Sequence, residues 1–200
     1  MKVIKGKVVK EGVATILLLG DGARDERITK SIAEKYDHTK TMLIPIIGYS
    51  KTGLQGVIDT LTHLTSIIKV NRFTIIIDKE HVNSIDDVRR ELTKRGFEVK
   101  SIKPLTTGSW EINCIHGSRN ITILLATLGL TSREHIEESM SKIIKLLYNE
   151  DVKPRKHAIN AWLRKHNLRD RELIEKAPID KLKQAFPNLT TLIEHIAKDP

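Results

Sequence analysis

Two apolar runs in this chain stop abruptly at acid. Val13-Ala-Thr-Ile-Leu-Leu-Leu19 leads into Gly20-Asp21-Gly22-Ala-Arg-Asp25-Glu26, and Phe73-Thr-Ile-Ile-Ile77 leads into Asp78-Lys-Glu80. A continuous β-branched and aliphatic run is the mark of a strand buried on both faces, as in a parallel sheet covered by helices. The carboxyl edge of such a sheet is where ligands bind. Two strands delivering carboxylates to one edge predict a site for a divalent cation, because hard cations gather several oxygen ligands.

The rest of the first hundred residues fits that frame. A short N-terminal strand of alternating charge and apolar residues precedes Val13–Leu19. A helix over Asp25–Tyr36 follows, with Ile28, Ile32 and Ala33 at helical spacing. Thr41–Ile47 reads as a strand, Lys51–Lys69 as a helix and Phe73–Ile77 as a strand. Ser84 is placed to cap a helix over Ile85–Arg95 that Gly96 ends, and Phe97–Ile102 returns as a strand. This alternation predicts an α/β chain with a Rossmann-like, mainly parallel sheet flanked by helices.

Beyond it, Trp110–Ile115 and Asn120–Thr127 flank His116-Gly117-Ser118 as a hairpin, and Thr131 or Ser132 caps a helix over Arg133–Tyr148. After the break at Asn149–Pro154 the pattern is helical throughout: Lys156–His166, Arg169–Ala177, Ile179–Ala185 and Asn188–Lys198, with Pro178 and Pro187 at helix boundaries. The expected organisation is an α/β domain over residues 1–150 and a small helical tail over 151–200.

With 200 residues and 40% hydrophobic content the chain is long enough to bury a full core. No run approaches the roughly 20 apolar residues of a membrane span, and the N-terminus shows no signal-peptide pattern. Cys114 stands alone, which excludes a disulfide framework and a cysteine zinc site. These features predict a cytoplasmic protein without membrane contact. The net charge of +9 favours a polyanionic partner, with nucleic acid the commonest. Aromatic content of only 4% argues that contacts fall on phosphates rather than stacked bases. Low glutamine and cysteine, with abundant Lys and Ile, also fit a thermophile's charged surface.

The spacing Asp21-Gly22-x-x-Asp25 after one strand and Asp78-x-Glu80 after another resembles the TOPRIM domain, found in topoisomerases, bacterial primases, OLD-family nucleases and small ribosomal-RNA maturases. The chain resembles single-domain archaeal proteins of this kind and the TOPRIM domains of OLD-type nucleases. The likeness covers about Val13 to Gly96, with Gly48–Gly53 similar to the polar loop after the second strand. Asp21 stands where that family carries Glu, and Glu80 where it carries Asp. The resemblance implies a TOPRIM-type sheet and Mg²⁺- or Mn²⁺-dependent phosphodiester chemistry, most simply that of a nuclease.

The same resemblance implies roles for particular residues. Asp21 and Asp78 would be catalytic, Asp21 as general base or metal ligand. Asp25, Asp78 and Glu80 would hold metal, and Glu138 is the further acid that some members add from a later helix. Gly22, Arg24 and Lys51 would meet phosphates, and helical periodicity in the tail places Lys156 and Arg164 as a phosphate clamp. Lys and Arg run through the stretch 151–171 with Asp151 and Asp170 as its acids. A homodimer is a further expectation.

Each piece also has an ordinary structural reading. Asp-Gly is a common turn, and acids early in a helix complement its dipole. His81 reads as a solvated loop residue, Cys114 as strand interior, and Trp110 and Trp162 as packing residues. Two other functions stay open on sequence: a non-catalytic nucleic-acid-binding or scaffold protein with a degenerate site, and a sensor of small nucleotides.

Overall fold

The structure, a computed structural model, describes residues 1–6, 12–20, 22–36, 39–46, 53–129 and 135–198. Asp21, Lys51, Thr131 and Ser132 lie outside the described residues, and so does Glu134. Seven strands form one sheet: β1 (Lys2–Gly6), β2 (Val13–Leu19), β3 (Thr41–Pro45), β4 (Arg72–Asp78), β5 (Phe97–Thr106), β6 (Ser109–His116) and β7 (Arg119–Leu128). Eight helices accompany it: α1 (Ala23–Lys35), α2 (Gly53–Ile67), α3 (Ile85–Lys94), α4 (Ile136–Tyr148), α5 (Lys156–Lys165), α6 (Asp170–Lys176), α7 (Ile179–Ala185) and α8 (Pro187–Lys198). A single 3₁₀ turn, Lys79–His81, follows β4.

The sheet order is β1-β3-β2-β4-β7-β6-β5. All described pairings are parallel except β5 with β6 and β6 with β7. Six strands therefore run one way and β6 runs against them. The fold is mixed α/β and Rossmann-like, as the sequence predicts.

One placement differs from the simple alternating picture. The strand after α3 does not lie beside β4; β7 takes that position, with Ile75 opposite Leu125 and Asp78 opposite Leu128. β5 is displaced to the sheet edge, runs on to Thr106 and joins β6 through a second hairpin. The cause is burial: Ile121, Ile123, Leu124, Leu125, Ala126 and Leu128 of β7 are all buried, whereas β5 exposes Glu98, Lys100 and Lys103. The more apolar strand takes the centre.

Alternation along the strands divides the core in two. Ile16, Leu18, Phe73, Ile75 and Ile77 pack beneath α2 and α3 on one face. Leu17, Ile76, Leu124 and Ala126 face the other way, against α1, α4 and the four helices after residue 151. Ile159, Trp162, Leu173, Ile174, Phe186 and Ile193 of the tail belong to that second core. The tail thus covers one face of the sheet.

Local signals account for the helix ends. Ser84 accepts a hydrogen bond from the Asp87 amide, and the Asp87 carboxylate accepts from the Ser84 amide, a complete capping box for α3. Gly96 at φ +82° ends that helix in the left-handed region, and Asn149 at φ 55° does the same for α4. No described helix is long and apolar enough to cross a membrane.

Candidate metal centre and cleft

The carboxyl ends of β2, β4 and β7 meet at one cleft of about 690 Å³. From the sheet, β4 contributes Asp78, and the segment after β7 contributes His135. The first turns of α1 and α4 supply Gly22 to Asp25 and Ile136 to Glu137, and across from them the tail supplies Arg155, Lys156 and Asn160.

Asp78 lies at the buried end of β4, only 4% exposed. Glu80 follows on the 3₁₀ turn, and His135 stands at the N-cap of α4. The imidazole bridges the two carboxylates: Nδ1 is 3.4 Å from Asp78 Oδ2, and Nε2 is 3.4 Å from Glu80 Oε2. One donor atom from each of the three lies within 4.8 Å of the others. Two donors facing each other across an ion with bonds of about 2.1 Å stand about 4.2 Å apart. Two carboxylates and an imidazole suit Mn²⁺ or another first-row ion at least as well as Mg²⁺, which prefers oxygen alone.

The other expected residues fall in several places. Asp25 is 3% exposed and lines the same cleft without joining the three-donor group. Glu138 is half-buried on α4 and does not line the cleft; its neighbour Glu137 does, but accepts a 2.8 Å hydrogen bond from Arg24 Nη1.

Arg24 is not free to hold a phosphate. Its guanidinium also donates to Asn160 Oδ1 and, at 3.4 Å, to Asp170 Oδ2, so every nitrogen already has a protein acceptor. Its expected role at a phosphate gives way to a clasp joining α1, α4, α5 and α6.

Gly22 lines the cleft, but its φ of −61° is open to any residue and a Cβ there meets nothing within 4 Å. Nothing in the backbone or the space there requires glycine at this position. Gly20, by contrast, is constrained: a Cβ there would lie 2.5 Å from Ile77 Cγ1. Its amide donates to Ile76 O at 2.8 Å, and its carbonyl accepts from the Gly53 amide at 2.9 Å. The absence of a side chain at Gly20 lets the end of β2 press against β4 at Ile77.

Lys156 lines the cleft, and Arg164 lines an adjoining depression of about 790 Å³. His81 lies to the other side, its Nε2 3.4 Å from Glu80 Oε1 and its ring against Gly53. Cys114 is strand interior, donating to Ile121 O, and burial pushes its thiol up to about 12. Trp162 is a packing residue: it stacks on His166 at 4.1 Å and donates to Glu150 Oε2.

The sequence reading assigns no role to His135 or Asn160, and takes Asp170 only as one of two acids in a basic stretch. His135 precedes a helix whose acids attract attention first, and its nearness to Asp78 depends on β7 pairing with β4, a long-range choice. Reading β7 as the most apolar strand and placing it next to β4 would have found it. No family model, curated protein or solved structure matches the chain. The chemistry of the cleft is therefore read from its own residues.

Proposed function

We propose that the chain is a metal-dependent enzyme of nucleic-acid phosphodiester chemistry, most simply a nuclease, working in the cytoplasm. One observation carries the reading: Asp78, Glu80 and His135 present three donors within 4.8 Å of one another at a cleft whose far wall is basic. Asp78 and Glu80 would hold Mn²⁺ or Mg²⁺ with His135. A bound divalent ion supplies charge neutralisation at a reacting phosphate and lowers the pKa of water. The protein's own part is to position the ligands, one from the end of a central strand, one from the 3₁₀ turn that follows it and one from a helix N-cap. Arg155 and Lys156 offer positive charge to the phosphates of the chain being cut. The likeness of Asp21-Gly22-x-x-Asp25 and Asp78-x-Glu80 to TOPRIM motifs leans the same way.

The test is cleavage of labelled single- and double-stranded DNA and RNA with Mn²⁺, Mg²⁺ or EDTA. Metal-dependent cutting that disappears in Asp78→Asn supports the proposal. Cutting by Asp78→Asn at the wild-type rate rejects it. Binding that weakens with salt, with no cutting under any metal, replaces it by the scaffold reading.

A further inference from the structure

The basic residues around the cleft fall into two kinds. Arg24 and Arg27 are both paired with Asp170, Arg169 with Glu172, and Arg171 with Glu175. Arg155, Lys156 and Arg164 are exposed and, among the described residues, form no ion pair. Arg164 makes only a 3.4 Å hydrogen bond from Nε to Asn160 O on its own helix.

These three cations lie along α5. Lys156, Asn160 and Arg164 recur at intervals of four and form one stripe beside the buried Ile159 and Leu163. Eight residues of helix put Arg164 about 12 Å beyond Lys156. Asn160 lines both depressions, as do Arg27 and Asp170, so the cleft at Asp78 continues into the one at Arg164. The first turn of α5 holds no acid and carries Lys156, with no side-chain cap at Arg155. Positive charge there opposes the helix dipole, and a bound anion relieves the conflict.

We infer that α5 is a phosphate rail for a single strand of nucleic acid, with Arg155 and Lys156 holding phosphates in the cleft at Asp78 and Arg164 holding one farther along. This rests on the phosphodiester reading of the cleft. A single strand bends freely and can lower its backbone toward the nearly buried Asp78 while following α5, whereas a duplex pays a deformation energy to do both. Among the described residues neither depression is lined by Phe, Tyr or Trp, so the strand is held there by phosphates without base stacking. Recognition is then independent of base sequence and steeply dependent on salt.

The test is fluorescence anisotropy on the full chain in EDTA, where binding is read without turnover. The probes are a labelled dinucleotide, a long oligothymidylate, its oligouridylate counterpart and a duplex of the same length. The long single strands are expected to bind more tightly than the duplex and the dinucleotide, and the thymidylate and uridylate arms show whether DNA or RNA is preferred. Arg164→Ala is expected to weaken the long strand several-fold while sparing the dinucleotide, and to lower the salt slope by about 0.7. Lys156→Ala weakens both probes. Arg169→Ala, which removes a cation already paired, changes neither.

Tighter binding of the duplex overturns the rail, and so does an equal effect of Arg164→Ala and Arg169→Ala. Long strands that bind no better than the dinucleotide also overturn it. Asp78→Asn separates the two proposals. If that variant binds the long strand normally but has lost cutting, both stand; if it still cuts, the metal site falls while the rail is judged on binding alone.

Discussion

Arg24 Nε lies 3.4 Å from both carboxylate oxygens of Asp170, and the two side chains are only 10% and 7% exposed. Arg24 lies in the first turn of α1 and Asp170 begins α6, so a buried ion pair ties the tail to the wall of the cleft. Glu137, Asn160 and Arg27 complete the cluster. Removing one partner of a buried pair strands the other charge, at a cost of about 3–5 kcal/mol. Asp170→Ala is therefore expected to lose stability on that scale in chemical denaturation. A loss below about 1 kcal/mol for Asp170→Ala would show that the cluster does not hold the tail in place.

Gly20 makes a second constraint that activity assays alone would misread. A methyl group there meets Ile77 Cγ1 at 2.5 Å and Ile77 Cβ at 2.9 Å. Gly20→Ala is expected to destabilise by about 1–3 kcal/mol through overpacking. Ile77→Ala opens a cavity on its own, yet combined with Gly20→Ala it should cost less than the sum of the two. A double-mutant cycle with no coupling would place the strain elsewhere.

Much of this architecture was legible in the chain because it is local. β2 and α7 fall on their predicted boundaries, and the Ser84 cap and Gly96 ending are chemistry within a few residues. Long-range pairing was less legible. Nothing near Phe97 says that β7 will displace β5 from the side of β4, since that outcome is decided by comparing the apolar content of distant strands. The same limit hid His135, which is brought to Asp78 by the β4–β7 pairing. Arg24 carried the opposite lesson: a cation in a conspicuous motif was consumed by acids that lie 113 and 146 positions away.

Glu91 gives the fold an acid-sensitive contact away from the cleft. Hydrogen bonds from Lys94 and then Arg95 hold its carboxyl below the ordinary value of 4.5, and Arg95 also reaches Asp59 on α2. A carboxyl depressed on folding stabilises the protein fully above the unfolded value and loses that contribution as pH falls through the folded one. Glu91→Gln is expected to lower the thermal midpoint near neutrality and to flatten its decline as pH falls below the ordinary carboxyl value of 4.5. Parallel wild-type and variant curves across that range would show that Glu91 is not part of the acid response.

The donor set makes a prediction about metals that does not depend on turnover. Asp78 is rigid at the end of a central strand, whereas His135 is half-exposed at a helix N-cap, so the two are expected to matter differently. Asp78→Asn removes a charged oxygen that either ion needs, and binding of both Mn²⁺ and Mg²⁺ should fall below detection in calorimetry. His135→Ala removes a nitrogen that a first-row transition ion values and Mg²⁺ does not. Its Mn²⁺ affinity should drop by roughly tenfold or more, about 1.4 kcal/mol, with Mg²⁺ nearly unchanged. The same ordering is expected in thermal melts, since an ion that binds only the folded chain raises its midpoint. If His135→Ala weakens both ions alike, the imidazole acts by holding Glu80 and Asp78 in place; if it weakens neither, His135 is not a ligand and the centre rests on its carboxylates.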